Sequence, residues 1–185
     1  MAEYGPGMLL VASPTLLDPN FSDTVVLVLD VDANGALGVV LNRPSGVAVG
    51  EVLAPWATLV GAPDVLFRGG PVSTDGALAL ALLCDADQAP PGFRPVTGGL
   101  GILDLDTPLE LVEAALRNLR IFAGYAGWGA GQLEEEIAEG SWDVVPGEST
   151  DVFGVDTSQL WREVLRRQPG ELAWRATRPA DPDLN

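Results

Sequence analysis

Short, nearly continuous apolar runs broken by Gly, Pro, Asn and Asp set the rhythm of the first hundred residues. "MLLVAS" (8–13) is one such run, ended by Pro14, and predicts a buried strand. "TVVLVLDVDANGALGVVLNRPS" (24–45) predicts two strands, over Val25 to Leu29 and Ala36 to Leu41. Both are apolar at consecutive positions, as strands covered on both faces should be. Asn34-Gly35 between them is a hairpin signal. "AVGEVLAPWATL" (48–59) has a weak helical period that Pro55 cuts short. "VLFRGGPV" (65–72) and "GALALALL" (76–83) predict two more strands, the first stopped by Gly69, Gly70 and Pro71. Residues 85–98 read as a loop, and "LGILDL" (100–105) as the strand after it.

The period then lengthens. "TPLELVEAALRNLRIFAG" (107–124) puts Val112, Ala115, Leu116, Leu119 and Phe122 on one helical stripe. Thr107 suits its N-cap, Pro108 its first position and Glu110 a capping box, and Gly124 stands where a helix ends. A short helix is expected over 132–139 with Leu133 and Ile137 inward, then a strand over 142–146. A last helix over 156–170, capped by Asp156, turns Leu160, Trp161, Val164 and Leu165 to the core. Strands and helices interleave without strict βαβ units. That predicts an α+β fold, a single compact domain over 1–175 with a large mixed β-sheet and flanking helices, followed by a loose tail over 176–185.

Composition narrows the chemistry. The 185 residues are 47 % hydrophobic and 19 % charged, which is globular rather than disordered. There is no histidine and no lysine, so all ten basic residues are arginine. Ser-His-Asp and Cys-His arrangements, a P-loop lysine and a Schiff base are therefore excluded. One cysteine and no histidine exclude an ordinary zinc site within one chain. Carboxylates remain, with Mg²⁺ or Ca²⁺ as conceivable companions, but no cofactor or metal is expected. The net charge of −16 repels phosphate backbones and anionic membranes. No apolar run reaches the roughly 18–20 residues that span a bilayer. The lone Cys84 suits a reducing cytoplasm, and its place at the end of an apolar strand suits a small buried hydrophobe.

The motifs "SPTLLDPNFSDTVVLVLD" (13–30), "GALGVVLNRPS" (35–45), "GGPV" (69–72), "GYAGWGAGQLEEEI" (124–137) and Trp142 follow one another in an order that resembles the YqgE/AlgH family, over most of residues 7–168. The resemblance implies a compact bacterial α+β protein without an assigned biochemical activity. One branch of the family is tied by name to regulation of alginate synthesis. Ala130 stands where the family often has proline. A histidine near the strand after "GGPV" has no counterpart here, so any role for it does not transfer.

Two groups of candidate site residues stand out: Asn42 and Arg43 in "LNRPS", and Gly127, Trp128, Gly129, Gln132, Glu135 and Glu136 in the Gly-rich stretch. Glycines opening onto a helix suit a ligand over exposed amides. They better suit a tight corner in which Gly127 and Gly129 supply positive φ or close approach, and Trp128 is an anchor. Arg43 is expected either to pair with Glu135 or Glu136 or to hold a carboxylate ligand. "DPNF" and "RGGPV" read as turns, with Phe21 as a plug. Three functions follow. The first is a cytosolic, non-catalytic binding or regulatory protein with a protein or small-molecule partner. The second is a hydrolase or lyase using Glu135 or Glu136 with Arg43. The third, a direct DNA-binding regulator, is disfavoured by charge.

Overall fold

The computed structural model describes residues 4–177. Alternation along each apolar run decides which face of one large sheet a side chain enters. In β1 (Met8–Ala12), Leu9 and Val11 join one buried cluster while Leu10 and Ala12 join another. β2 (Val25–Asp32) divides in the same way, with Val25, Leu27 and Leu29 on one face and Val26 and Val28 on the other. Its hairpin partner β3 (Gly35–Val40) sends Val39 to the first cluster and Val40 to the second. The turn between them is fixed by Asp32 Oδ1, which accepts the Asn34 N–H at 2.7 Å. Cover on both faces is the reason these runs are apolar at every position, as the sequence predicts.

The remaining strands are β4 (Pro44–Ala48), β5 (Val65–Arg68), β6 (Val72–Leu83), β7 (Phe93–Thr97), β8 (Leu100–Leu103), β9 (Leu116–Gly129) and β10 (Trp142–Pro146). The sheet runs β10-β1-β2-β3-β9-β6-β8-β7, with β4 and β5 attached beside β9. Among the described residues every pairing is antiparallel except β5 with β9, which sets Phe67 beside Phe122 in parallel. The helices are short: α1 (Val49–Val52), α2 (Gln132–Ala138), α3 (Ser149–Phe153), α4 (Leu160–Arg166) and α5 (Glu171–Arg175). α3 and α4 bring Val152, Leu160, Val164 and Leu165 to the first face. On the opposite face, α2 covers the β1–β3 half through Leu133. Val49 of α1 and Trp56 of the next 3₁₀ turn cover a third cluster with Ala79, Ala81, Leu119 and Ile121. The result is an α+β domain with a large, mainly antiparallel sheet.

The helix expected over 107–124 does not form. Only two 3₁₀ turns appear, at Leu109–Leu111 and Glu113–Ala115, and the chain is extended from Leu116. The stripe that suggested a helix also fits a strand covered on both faces. Leu119, Arg120, Ile121 and Phe122 are buried in succession, and Ala126 and Trp128 alternate after them. Eight residue pairs with β6 give this segment a long-range ladder that outweighs its local helical preference. Arg120, in mid-strand, donates to the carbonyls of Val152 at 2.7 Å, Gly154 at 2.9 Å and Ala62 at 3.2 Å, and lies 4.2 Å from the Phe67 ring centroid. Burial pushes its pKa down to about 10. β7 lies within the stretch 85–98 that reads as loop, and β4 begins at Pro44 and runs into the stretch with a weak helical period.

Gly124 therefore ends no helix; it sits where the chain crosses β9. β5 lies on one edge of β9 and β6 on the other, and Gly69-Gly70 carry the chain between them. A Cβ on Gly69 would come within 2.3 Å of the Gly124 oxygen, and one on Gly70 within 2.2 Å of the Tyr125 oxygen. Gly124, at φ +74°, would meet the Gly70 oxygen at 2.4 Å. Backbone rests on backbone here, and only glycine fits. Gly127 and Gly129, by contrast, have neither positive φ nor a close neighbour.

Of the expected C-terminal tail, Ala176 is buried and accepts a hydrogen bond from Arg162, and residues 178–185 lie outside the described residues. Cys84 is exposed, not buried: the β6 ladder ends at Leu83, and the Cys84 N–H donates to the Ala115 carbonyl just beyond it. Among the described residues no helix is long and apolar enough to cross a membrane.

Candidate functional site

The sequence-predicted site residues divide into two places. At the first, α2 closes over an aromatic cluster. Trp128 and Trp142 are buried with ring centroids 6.1 Å apart, and Phe21 lies 6.1 Å from one and 5.6 Å from the other. Both indole N–H groups donate to Oε1 of Glu136, at 3.3 Å from Trp128 and 3.0 Å from Trp142. Glu136 is thus a fixed acceptor between two tryptophans. Gln132 Oε1 accepts the Gly129 N–H at 3.0 Å, which tightens the entry to α2. Glu135 and Gly127 are exposed. These contacts hold a corner together.

At the second place, Asn42 pins strand ends: its Oδ1 accepts the Val25 N–H at 3.0 Å and its Nδ2 donates to the Asp23 carbonyl at 2.9 Å. Arg43 forms no ion pair with Glu135 or Glu136. Its guanidinium donates to the carbonyls of Asn20 at 2.7 Å and Ser22 at 2.9 Å. The "DPNF" turn presents those carbonyls. Asp18 Oδ1 accepts the Asn20 N–H, and the Asp18 carbonyl accepts the N–H groups of Phe21 and Ser22. One loop therefore links the two places, holding Arg43 through its backbone and the tryptophan pair through Phe21.

Arg43 lines a cleft of about 1000 Å³ that contains neither Glu135 nor Glu136. Two irregularities in the sheet open it. Between Pro44↔Phe67 and Ala48↔Val65 the β4–β5 register slips, so residues 45–47 bow outward. Between Val72↔Tyr125 and Ala77↔Ala123 four residues of β6 oppose Gly124 alone, with Ser73 at φ +49°. Such bulges bend strands and end pairing. The cleft lies between them, over the glycine crossing, where Val40 of the second cluster meets Ala123. At this end the Gly69 carbonyl accepts the Val40 N–H and the Gly69 N–H donates to the Ala123 carbonyl, which ties β3 to β9 through the glycine crossing.

Arg68, the last residue of β5, enters the cleft beside Arg43, and its N–H donates to the Arg43 carbonyl at 2.7 Å. Alternation sends Phe67 into the core and Arg68 to the cleft face. Burial lowers the Arg43 pKa, Asp23 and Asp18 raise it, and the like charge of Arg68 lowers it further. The Arg68 guanidinium is exposed and has no hydrogen bond or ion pair among the described residues. Sequence reasoning passed over Arg68 because "RGGPV" reads as a turn. The signal was there in an arginine placed directly before a forced glycine crossing. The described residues contain no group of three His, Cys, Asp or Glu placed to hold a metal.

Fold and site together define a single-domain α+β protein with an arginine-floored cleft over a strand crossing. The chain belongs to the AlgH-like family, which matches residues 9–173. It is 57 % identical over 182 residues to a UPF0301 protein of Streptomyces avermitilis, covering 97 % of this chain and 94 % of that one. It is 46 % identical over 181 residues to a UPF0301 protein of Mycobacterium tuberculosis, covering 97 % and 90 %. A crystal structure of a Corynebacterium diphtheriae protein superposes with a TM-score of 0.90 at 31 % identity, over 96 % of this chain and 94 % of that one. The solution structure of the AlgH protein from Pseudomonas aeruginosa superposes with a TM-score of 0.70 at 26 % identity, over 98 % and 100 %.

Proposed function

We propose that this protein is a non-catalytic binding or regulatory protein of the cytoplasm that recognises an anionic ligand in the Arg43–Arg68 cleft. The observation that carries this reading is the Arg68 guanidinium, unpaired among the described residues and placed beside Arg43 in the cleft. Arg117 and Arg166 also lack a partner among the described residues; what sets Arg68 apart is that it lines the cleft beside a second guanidinium, Arg43. Arg43 supports it: two backbone carbonyls fix its guanidinium, so little ordering cost remains when a ligand arrives. The absence of histidine and lysine removes the common acid–base and nucleophilic routes, so recognition without turnover is the economical reading.

Thermal denaturation with a panel of anionic, neutral and cationic small molecules tests it. A ligand at 100 times its Kd stabilises by about 2.7 kcal/mol. At least one anionic member is expected to raise the melting temperature, to lose that effect with Arg68→Ala, and to be recovered chemically unchanged. Stabilisation by neutral compounds alone, or by anions irrespective of Arg68, would overturn the reading.

A further inference from the structure

The walls of the cleft say what kind of anion it takes. None of the described residues that line it is aromatic. A nucleobase would find no ring to stack on, a contact that usually contributes about 1–3 kcal/mol per base. The walls are branched and aliphatic instead: Val40, Val47, Val52, Leu53 and Leu66. Two of these are conspicuous. Val47 and Val52 keep 39 % and 55 % of their surface exposed, although nothing in their own strand or helix requires an apolar side chain facing water. At about 1000 Å³ the cleft is too large for a bare inorganic anion and lies at the upper end of the roughly 300–1,000 Å³ typical of small-molecule sites. One carboxylate, Asp75, also lines it, on the outward bulge of β6.

Resting on the anion-binding reading above, we infer that the ligand is a small aliphatic monocarboxylate, its head group on Arg68 and Arg43 and its hydrocarbon body along Val52, Val47 and Leu66. The planar fork of a guanidinium matches a carboxylate in a way that a neutral head group cannot reproduce. An aliphatic chain would also remove Val47 and Val52 from water, giving those exposed side chains a physical reason.

The test is isothermal titration of the full chain with octanoate, octanol, inorganic phosphate and adenosine monophosphate. Octanoate is expected to bind and the other three are not. Arg68→Ala should weaken octanoate by about tenfold or more, as loss of a charge-assisted hydrogen bond implies. Val52→Asp should abolish binding by placing a charge in the path of the chain. Both side chains are exposed, so far-UV circular dichroism and melting should stay as in the parent. Asp75→Asn should tighten binding by removing a like charge. If phosphate or the nucleotide binds as tightly as octanoate and depends on Arg68, the anion site stands and the aliphatic carboxylate is wrong. If octanol binds as well as octanoate, the head-group assignment is wrong. Weaker octanoate binding in Asp75→Asn would mean that Asp75 supports the head-group site rather than repelling the carboxylate, and would overturn the placement of the head group on Arg68 and Arg43. If no anion binds, both readings fall.

Discussion

Trp128 shows how a residue that looks like a binding platform serves the fold. It is 5 % exposed, stacks on Phe21, and shares one carboxylate oxygen with Trp142. Trp128→Ala removes this anchor and should cost about 3–5 kcal/mol, a large share of a typical total of roughly 5–15 kcal/mol. Glu136→Ala strips both indoles of their acceptor and should cost about 1–3 kcal/mol, whereas Glu136→Gln keeps a carbonyl oxygen there and should cost less. Glu135→Gln touches only an exposed first-turn charge and should change stability by no more than about 1 kcal/mol. Urea melts of the four variants check this ordering. Equal losses for Glu135→Gln and Trp128→Ala would contradict it.

The strands that the sequence revealed are those whose apolar runs are short and bounded by turn residues. β1, β2, β3, β5, β6, β8 and β10 all belong to this kind. β4 and β7 carry Pro44 and Pro95, and proline argues against a strand unless the strand lies at an edge. Both do lie at edges, a fact that only the topology supplies. β9 was misread because a strand buried on both faces and a helical stripe overlap over a few residues, and its ladder with β6 is invisible locally. The same ladder explains why Gly124 reads locally as a helix end, while Arg68 reads locally as part of a turn because its place beside Arg43 comes from the pairing of β5 with β4 and β9. Gly70→Ala should prevent native folding, because its Cβ would overlap the Tyr125 backbone. Gly127→Ala, whose Cβ would meet only the Tyr125 ring at 3.8 Å, should fold normally. Soluble yield and amide-exchange protection separate the two.

At the N-terminal edge, Tyr4 donates a hydrogen bond to Glu134 of α2. Burial, this hydrogen bond and the charge of Glu134 raise its pKa from 10.0 to about 12. A raised folded-state pKa favours the folded state below the unfolded value. The contribution of Tyr4 is therefore complete below pH 10 and lost as pH climbs towards about 12. Phenolate absorbance should show one tyrosine ionising late, and Tyr4→Phe should remove that step together with the stability lost across this window. A single tyrosine transition near 10 in the folded protein would contradict it.

For the whole molecule, the net charge of −16 and the two-arginine cleft work in opposite directions. The surrounding field repels polyanions, while the cleft concentrates positive charge over a small area. Double-stranded DNA should not bind at nanomolar concentration and physiological salt, because the ten arginines form no dense run along the sequence to track phosphates; fluorescence anisotropy with competitor DNA checks this. A small anion meets the cleft at short range, where the local cations decide. The loop at 18–22 joins that cleft to the tryptophan corner, so the stretch that looks like a site in the sequence supports the cleft proposed as one. The most direct test is a backbone-amide NMR titration of the whole chain with octanoate. Shifts confined to the cleft lining, within 19–22, 40–53, 66–77 and around Ala123, and absent in Arg68→Ala, are the predicted result. Shifts centred on 127–136, or none on saturation with the ligand, would contradict it.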